Sequence, residues 1–362
     1  MERKYKILTV IGARPQFVKA AVLSRAWRGL ENAEEVLLHT GQHFDQGMSD
    51  IFFEEMEIPL PKYNLGIHSV NQGAMTGRMM EGIEQIILDE KPDIVLLYGD
   101  TNSTLAGALA AQKLHVKVAH VEAGLRSYNM RMPEEINRIL TDRVSDLLFC
   151  PTDTAIGNLK KEGYDQFPGE IVKSGDVMLD AAMYYADKSA VKSTVMEKIG
   201  AEPFVLATLH RAENTDDPQR LKAIVDALHT IHEKCRIVLP LHPRTKGALE
   251  RAGLSLDVTI LPPVGYFDMI ELLKNCALVM TDSGGLQKEA FFFKKLCITM
   301  RDQTEWVELI EHGFNTLVGA DGEQIIAAFE QYRGQSTTFD KDLYGDGKAG
   351  QLIANKILHT LA

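Results

Sequence analysis

Three acidic side chains in the first half of the chain follow predicted strands or open a predicted helix. Asp100 comes shortly after the apolar run Ile94–Tyr98, and Glu122 comes directly after Val118–Val121. Glu134 lies in the first turn of a predicted helix. Carboxylates that converge shift each other's pKa values and can move protons. The positions therefore predict acid–base chemistry, although Asp100 is also well placed to cap a helix.

The same carboxylates could instead be structural, as ion-pair partners of neighbouring arginines. Arg126 follows Glu122 closely in the chain and could neutralise it in an ion pair. Glu134 and Arg138 have i, i+4 spacing, so a helix would place them on one face as a solvated salt bridge. A catalytic role is favoured because three carboxylates lie at strand ends or helix starts of one domain.

The second half of the chain supplies groups suited to an anion. His210 and Arg211 follow one predicted strand, and the segment Ser283–Gly285 follows another. A helix that opens with Ser-Gly-Gly presents free backbone N–H groups to a phosphate, although the same residues also form ordinary tight turns. Together with the histidine and the arginine they indicate a diphosphate site. Glu289 lies about a turn and a half further on, where it could accept from ribose hydroxyls.

The turn after the first predicted strand has a similar pattern. Gly12 permits a tight turn, Pro15 suits the first turn of a helix, and Arg14 lies beside a helix N-terminus that favours an anion. An ordinary strand–helix turn explains the same residues equally well. This turn lacks the G-x-G-x-x-G and G-x-x-x-x-G-K-[ST] patterns, so a nicotinamide cofactor or a P-loop is not indicated.

These turns belong to an alternation of strands and helices. Such alternation predicts an α/β fold with parallel sheets covered on both faces. The predicted strands of the first half are Ile7–Ile11, Glu35–Thr40, Ile94–Tyr98, Val118–Val121, Leu147–Cys150 and Ile171–Ser174. The helical patterns between them are Gln16–Arg28, Ala74–Asp89, Ser103–Lys113, Glu134–Val144 and Thr154–Glu162.

The alternation restarts after Gly200, which predicts a second domain of similar build. We place the hinge in or just before the polar segment Asp187–Glu202, and ligands are expected in a cleft at the carboxyl ends of the strands. The predicted division is 1–175 with 344–362 for the first domain and 176–343 for the second. The strands of the second half are Phe204–Thr208, Ile237–Pro240, Val258–Leu261, Ala277–Thr281 and Leu296–Thr299. Its helical patterns are Pro218–Ile231, Lys246–Ala252 and Gly285–Phe293, and a last helical pattern lies within Tyr344–Thr360.

Composition bounds the class of protein. The 362 residues are 45% hydrophobic and 25% charged, which is ordinary for a globular enzyme and excludes disordered or collagen-like chains. A net charge of −11 disfavours nucleic acid as a partner. No run approaches the ~18–20 apolar residues of a membrane helix. The four cysteines share no metal-ligand spacing, so we expect mostly buried, reduced thiols in a soluble cytoplasmic protein.

Taken together, the motifs resemble those of the non-hydrolysing UDP-N-acetylglucosamine 2-epimerase family. Eight of them occur in order and span almost the whole chain: G-A-R-P, Y-G-D-T, H-V-E-A-G-L-R, M-P-E-E-I-N-R, H-R-A-E-N, T-D-S-G-G-L-Q-K-E-A, R-D-Q-T-E and Y-G-D-G-K. The resemblance implies two Rossmann-like domains facing across a cleft, the glycosyltransferase-B-like fold, with the C-terminal helix returning to the first domain.

The resemblance also implies the reaction, which is inversion at C2 of a UDP-linked 2-acetamido sugar. The proton at C2 leaves together with UDP, and a 2-acetamidoglucal stays bound until UDP adds back. No metal or dissociable redox cofactor is implied, and a homodimer is expected. The implied catalytic residues are Asp100, Glu122, Glu134 and His210. The implied substrate- and UDP-binding residues are Arg14, Lys19, Arg138, Arg211, Met269, Ser283, Gly284, Gly285 and Glu289.

Several positions depart from the commonest family pattern. The segment Glu305–Val307 is Glu-Trp-Val where Glu-Arg-Pro is usual, and Leu-His-Pro-Arg stands where His-Leu-Asn-Pro is usual. These variants are similar to a branch that acts on UDP-2,3-diacetamido-2,3-dideoxy-glucuronate, with the same chemistry at C2. A uronate carboxylate requires a nearby cation, and Arg131, Arg244 and Arg301 are the candidates.

Two other classes of function compete with an epimerase. A glycosyltransferase can share the fold, but it requires an acceptor and does nothing with the UDP-sugar alone. A non-catalytic nucleotide-sugar sensor gains nothing from three carboxylates near an anionic ligand.

Overall fold

The computed structural model describes residues 3–42 and 56–362. The chain forms two compact units, the first comprising Met1–Ala181 with Asp342–Ala362 and the second comprising Ala182–Lys341. These bounds differ by a few residues from the division expected at 175 and 344, because one helix, Val177–Lys192, runs through the first boundary. The expected hinge segment Asp187–Glu202 is largely helical, since this helix and a short one at Val195–Ile199 occupy it.

The first unit is built on a seven-stranded parallel sheet in the order β3-β2-β1-β4-β5-β6-β7. The order reverses direction between β1 and β4, which makes this pair the switch point at which doubly wound folds bind ligands. The strands are β1 (Tyr5–Ile11), β2 (Ala33–His39), β3 (Tyr63–Asn64), β4 (Ile94–Tyr98), β5 (Lys117–Val121), β6 (Leu147–Cys150) and β7 (Glu170–Lys173). The helices are α1 (Arg14–Arg28), α2 (Gln72–Glu90), α3 (Asn102–Lys113), α4 (Pro133–Arg143), α5 (Asp153–Lys161) and α6 (Val177–Lys192), with a 3₁₀ turn at Tyr164–Gln166.

Apolar patterning explains how these elements pack. All five residues of β4 are buried, as expected for a central parallel strand covered on both faces. Helix α2 buries Met79, Ile83, Ile86 and Ile87, which recur at the spacing of one helix face. Helix α3 lies so close to the sheet that a side chain at Gly107 would meet Leu97. The core is therefore formed where α2 and α3 cover the central strands.

The second unit repeats the design with a six-stranded parallel sheet in the order β10-β9-β8-β11-β12-β13. Its switch point lies between β8 and β11. The strands are β8 (Val205–Thr208), β9 (Ile237–Pro240), β10 (Thr259–Leu261), β11 (Leu278–Thr281), β12 (Cys297–Thr299) and β13 (Asn315–Leu317). The helices are α7 (Val195–Ile199), α8 (Ala212–Thr215), α9 (Pro218–His232), α10 (Pro243–Ala252), α11 (Tyr266–Asn275), α12 (Gly284–Phe292), α13 (Val307–Glu311) and α14 (Gly322–Tyr332).

The last helix, α15 (Ala349–Leu361), packs on the first unit, as the family resemblance implied. Its first backbone N–H groups, at Ala349 and Gly350, donate to the Asp180 carboxylate over 3.1 and 2.8 Å. The backbone of Gly350 approaches Val22 on α1 so closely that a larger residue would clash. Across residues 3–42 and 56–362, none of the helices is long and apolar enough to cross a membrane.

Candidate active site

The carboxyl ends of β4 and β5 bring Asp100 and Glu122 into one region of the first unit. The backbone N–H of Gly99 donates to the carbonyl of Val121 over 3.0 Å, so the two strand ends are joined directly. Gly99 has φ of +63°, a conformation that glycine adopts without strain. The catalytic candidates from two motifs thus meet beside the β1–β4 switch point.

Asp100 is held by helix α4. Its carboxylate accepts a hydrogen bond from the Arg138 guanidinium, and its backbone carbonyl accepts from the Asn137 side chain over 2.9 Å. Arg138 also donates to the fully buried Glu135 over 2.5 Å. The capping interpretation of Asp100 is wrong, because Thr101 is the N-cap of α3 and accepts from the Thr104 N–H. The Asp100 side chain is about one-third exposed, so it is fixed yet accessible.

Glu122 pairs with Lys19 of α1, and both side chains are more than nine-tenths buried. A Cβ atom placed on Gly99 would lie 3.4 Å from both the Glu122 Oε2 and the Lys19 Nζ, so this pair adjoins Asp100. Glu122 has φ of +74°, an unusual conformation for a residue with a side chain. The suggested structural partner Arg126 is wrong, because that guanidinium binds Asp142 and Glu162 instead.

Glu134 lies in the first turn of α4 and is partly exposed. The expected i, i+4 salt bridge to Arg138 is wrong, because Arg138 turns toward Asp100 and Glu135. Within the described part of the chain the Glu134 carboxylate has no hydrogen bond or ion pair. It is therefore available to a ligand, and its catalytic role stays a prediction.

The side chain of Gln16 fills the turn after β1 and bonds to its backbone. The Gln16 Oε1 accepts from the backbone N–H groups of Gly12 and Ala13 over 2.8 and 3.0 Å, and its Nε2 donates to the Tyr98 carbonyl over 2.8 Å. The N–H groups of Gly12 and Ala13 are thus already used and are not available to an anion. Arg14 begins α1, and its side chain lies outside the described part, so its role also stays a prediction.

In the second unit, the buried Asp282 organises the turn that carries His210 and Arg211. Its carboxylate accepts from the backbone N–H groups of His210, over 3.0 Å, and Arg211, over 2.9 Å. The Nδ1 of His210 lies 3.5 Å from the same carboxylate. Asp282 was missed as a functional residue, although it stands in the T-D-S-G-G motif directly after β11.

The environment of His210 favours the neutral imidazole. Burial lowers the pKa of His210. The negative charge of Asp282 opposes this, whereas His242, Arg211 and Arg244 lower the pKa further. Because the net shift is downward, a ligand that brings negative charge would drive protonation of this ring.

The N-terminus of α12 is the cradle that the sequence predicts for an anion. Ser283 is the N-cap and makes no side-chain capping bond, which leaves the first N–H groups of the helix for another partner. A Cβ atom on Gly284 would lie 2.5 Å from Glu305, 3.4 Å from Arg211 and 3.6 Å from Arg301. Gly285, by contrast, faces open space. Backbone donors and two guanidinium groups therefore converge on Gly284, together with the Glu305 carboxylate.

The remaining predicted residues lie on two helices of the second unit. Glu289 is partly buried on α12, and Met269 on α11 packs against an apolar core cluster of this unit. Sequence reasoning named Arg301 only as a partner for a uronate, yet Arg301 is buried beside the cradle and pairs with Glu305 over 3.2 Å. Among the described residues, no group of three or more His, Cys, Asp or Glu side chains could hold a metal ion.

Known proteins are similar to this chain over nearly its whole length. The profile of the family described as UDP-N-acetylglucosamine 2-epimerase matches residues 25–358. The UDP-2,3-diacetamido-2,3-dideoxy-D-glucuronate 2-epimerase of Pseudomonas aeruginosa is 58% identical over 96% of this chain and 98% of its own. The UDP-N-acetylglucosamine 2-epimerase of Methanocaldococcus jannaschii is 42% identical over 96% of this chain and 97% of its own.

Solved structures give the same result. The crystal structure of the Methanocaldococcus jannaschii enzyme in complex with UDP-GlcNAc and UDP matches with a TM-score of 0.90 and 42% identity, over 98% of this chain and 99% of that one. The enzyme from Neisseria meningitidis bound to UDP-GlcNAc matches with a TM-score of 0.87 and 29% identity, over 98% and 100%. The predicted α/β class with two Rossmann-like units, the glycosyltransferase-B-like fold, is confirmed. The chain belongs to the UDP-N-acetylglucosamine 2-epimerase family of isomerases.

Proposed function

We propose that this protein is a non-hydrolysing epimerase that inverts C2 of a UDP-linked 2-acetamido sugar. The observation that carries the proposal is the cluster at the ends of β4 and β5, where Asp100 and the Glu122–Lys19 pair adjoin. Family membership supplies the reaction class. The cluster supplies what that class requires, namely carboxylates fixed by cations and able to exchange protons.

The first half-reaction removes the C2 proton and breaks the bond between C1 and the diphosphate oxygen. A carboxylate of the cluster takes the proton, the C–H electron pair forms a double bond between C1 and C2, and the C1–O electron pair leaves with UDP. The second half-reaction reverses these steps, with the proton added to the opposite face of C2. Since no net oxidation occurs, atoms and electrons balance without a cofactor.

The second unit is proposed to hold the departing UDP. His210, Arg211 and the N-terminus of α12 supply hydrogen-bond donors, and Arg301 adds a buried positive charge. Fixed donors aimed at a developing negative charge lower the barrier more than mobile ones, because they need no reorganisation. Protonation of the neutral His210 as the diphosphate separates would stabilise it further.

Two substrates fit this chemistry, UDP-N-acetylglucosamine going to UDP-N-acetylmannosamine and the diacetamido-uronate analogue. The 58% identity to the Pseudomonas aeruginosa enzyme favours the uronate. Of the candidate cations, Arg301 pairs with Glu305 and Arg244 lies 3.5 Å from Asp216. Arg131 is exposed and pairs with no carboxylate among the described residues, so we propose it as the uronate partner.

One experiment tests the function and the substrate together. The protein is incubated in heavy water with each UDP-sugar separately, and deuterium at C2 is measured by NMR. Deuterium at C2 with interconversion of the two epimers supports the proposal, and the faster sugar identifies the substrate. Sugar transfer that requires an added acceptor would instead support a glycosyltransferase. Binding of UDP without any turnover would support a sensor.

Assembly and location are also proposals. We propose a homodimer, as expected from the family resemblance, and light scattering coupled to size-exclusion chromatography tests it. The UDP-sugar as partner is supported by the UDP and UDP-GlcNAc bound in the related structures. We propose a cytoplasmic protein, and fractionation of cells that express it tests this location.

A further inference from the structure

His120 is a buried histidine whose two ring nitrogens both face oxygen atoms. It lies on β5, two residues before Glu122, and is fully inaccessible to solvent. Its Nδ1 lies 2.7 Å from the Asp142 Oδ1, and its Nε2 lies 2.7 Å from the backbone carbonyl of Gly99. Both distances are those of strong hydrogen bonds.

Neither oxygen can donate a hydrogen bond to the ring. A peptide carbonyl only accepts, and an ionised carboxylate only accepts. Asp142 also accepts from the Arg126 Nη1 over 2.7 Å and from the Gly124 N–H over 3.1 Å, as an ionised group does. Burial raises the pKa of Asp142, but its hydrogen bonds and the positive charge of Arg126 bring it below its usual value.

A neutral imidazole cannot satisfy both contacts. It has one N–H donor and one bare nitrogen, and the bare nitrogen would face an oxygen lone pair at 2.7 Å. An imidazolium carries a proton on each nitrogen and satisfies both.

Charge balance also favours an imidazolium at His120. Arg126 forms two hydrogen bonds to Glu162, over 2.7 and 2.9 Å, in addition to its bond to Asp142. One guanidinium therefore faces two carboxylates. With a neutral His120 this set would carry a net negative charge shared between the buried Asp142 and the partly exposed Glu162, and a buried charge that is not fully balanced is costly. With a cationic His120 the four groups are neutral together.

The carbonyl that His120 holds belongs to the peptide bond that leads into Asp100. The N–H of Gly99 is tied to Val121, the Gly99 carbonyl to His120, and the Asp100 carbonyl to Asn137 over 2.9 Å. With these peptide planes fixed, the direction in which the Asp100 side chain leaves the backbone is also fixed.

We propose that His120 is an imidazolium at neutral pH and acts as a positioning residue for Asp100 through the Gly99 carbonyl. The inference rests on the proposed catalytic role of Asp100. Displacement of a catalytic group by about 1 Å can reduce turnover about 10²-fold. Helix α4 takes part in the same device, because it supplies Asp142 to the ring as well as Asn137 and Arg138 to Asp100.

The protonation state is tested on the wild-type protein with nitrogen-15-labelled histidine. NMR correlations should show that one of the 11 histidines carries a proton on both ring nitrogens at pH 7, and this signal should vanish in a His120 variant. A bare nitrogen on His120 at pH 7 would overturn the proposal. This measurement requires no substrate, so it is independent of the proposed function.

The positioning role is tested with a matched pair of variants. The amide nitrogen of Asn lies near the position of Nδ1, and that of Gln near the position of Nε2. H120Q therefore keeps a donor for Gly99, whereas H120N keeps a donor for Asp142. We expect H120N to lower kcat and kcat/KM together by about 10²-fold, and H120Q to retain at least about tenfold more activity than H120N.

Failure of the inference and failure of the proposed function give different results. If the wild type epimerises neither UDP-sugar, the proposed function fails, while the NMR result still decides the charge of His120. The positioning role fails if the wild type is active and H120N has the same kcat. It also fails if the kcat of H120Q is no higher than that of H120N. Circular dichroism shows whether either variant is folded. If neither folds, the ring signals of His120 in the wild type are assigned through its backbone correlations, and they still decide its charge.

Discussion

The ammonium group of Lys19 pairs with the carboxylate of Glu122, although 103 positions separate them in the chain. Helix α1 and strand β5 bring them together, and solvent reaches less than one-tenth of either side chain. A pair of this kind keeps a carboxylate ionised in the interior only while its cation is present. Lys19 is therefore as important to the cluster as the carboxylates themselves.

Lys19→Met should destabilise the protein by about 3–5 kcal/mol, because an unpaired carboxylate stays buried. The double variant K19M/E122Q should recover much of that stability without recovering activity, since it removes the charge but also the proposed acid–base group. Urea unfolding and the deuterium assay measure the two effects. Unchanged stability in K19M would contradict the buried pair.

Asp100→Asn should lower kcat by about 10²–10⁴-fold, the usual contribution of a general acid or base, with little change in UDP affinity. The substitution keeps the shape and a carbonyl oxygen for Arg138. Asp153→Asn is the matched control, because Asp153 forms an exposed pair with Lys173. Equal activity of the two variants would remove Asp100 from the mechanism.

His210 should couple UDP binding to proton uptake. Burial lowers its pKa below 6.5 in the free protein, and a bound diphosphate should raise it. UDP affinity should therefore rise as the pH falls from the pKa of the complex toward that of the free protein. Calorimetry in two buffers of different ionisation enthalpy measures the uptake.

The control for this measurement uses two glutamine variants. His210→Gln should reduce the proton uptake and weaken UDP binding, whereas His359→Gln, at an exposed position on α15, should change neither. The same uptake in both variants would show that another group titrates.

Gly284→Ala and Gly285→Ala form a pair that tests the cradle. The new methyl group at 284 would lie 2.5 Å from the Glu305 Oε1, whereas at 285 it meets nothing within 4 Å. Overpacking of this kind costs about 1–3 kcal/mol, so UDP affinity should fall about tenfold or more for Gly284→Ala. Gly285→Ala keeps its backbone donor and meets no protein atom within 4 Å, so it should bind UDP better than Gly284→Ala. Equal binding by both variants would place the diphosphate elsewhere.

Glu90 should contribute to the acid stability of the first unit. Hydrogen bonds from Lys6, Lys62 and Tyr63 lower its pKa to about 2, from an ordinary value of 4.5. Because the folded-state pKa is the lower one, its stabilisation is complete above pH 4.5 and is lost as the pH falls toward 2. Glu90→Gln should cost about 2 kcal/mol at pH 7, since the exposed Lys62 is screened by solvent.

The check for Glu90 is the pH dependence of unfolding. The wild type should lose stability between pH 4.5 and 2 more steeply than Glu90→Gln. Parallel curves for the two proteins would contradict the assignment. Asp153→Asn should stay within about 1 kcal/mol of the wild type, because its ion pair is exposed.

The sequence alone determined the central strands and the order of the motifs. The predicted bounds Ile94–Tyr98, Leu147–Cys150 and Ile237–Pro240 are those of β4, β6 and β9. Such strands are buried on both faces, so an unbroken apolar run marks them. The edge strands β3 and β13 were missed, because they are two and three residues long and lack such a run.

Tertiary structure decided which charges pair. Spacing suggested Glu134 with Arg138 and Glu122 with Arg126, yet the structure pairs Arg138 with Asp100 and Arg126 with Asp142. Neighbours in sequence are only one source of partners. A parallel sheet brings together residues that follow different strands, and the helix packed beside it adds its own side chains. The proposed charge of His120 also depends on this packing. The Gly99 carbonyl, between β4 and α3, and the Asp142 carboxylate, on α4, both contact its ring.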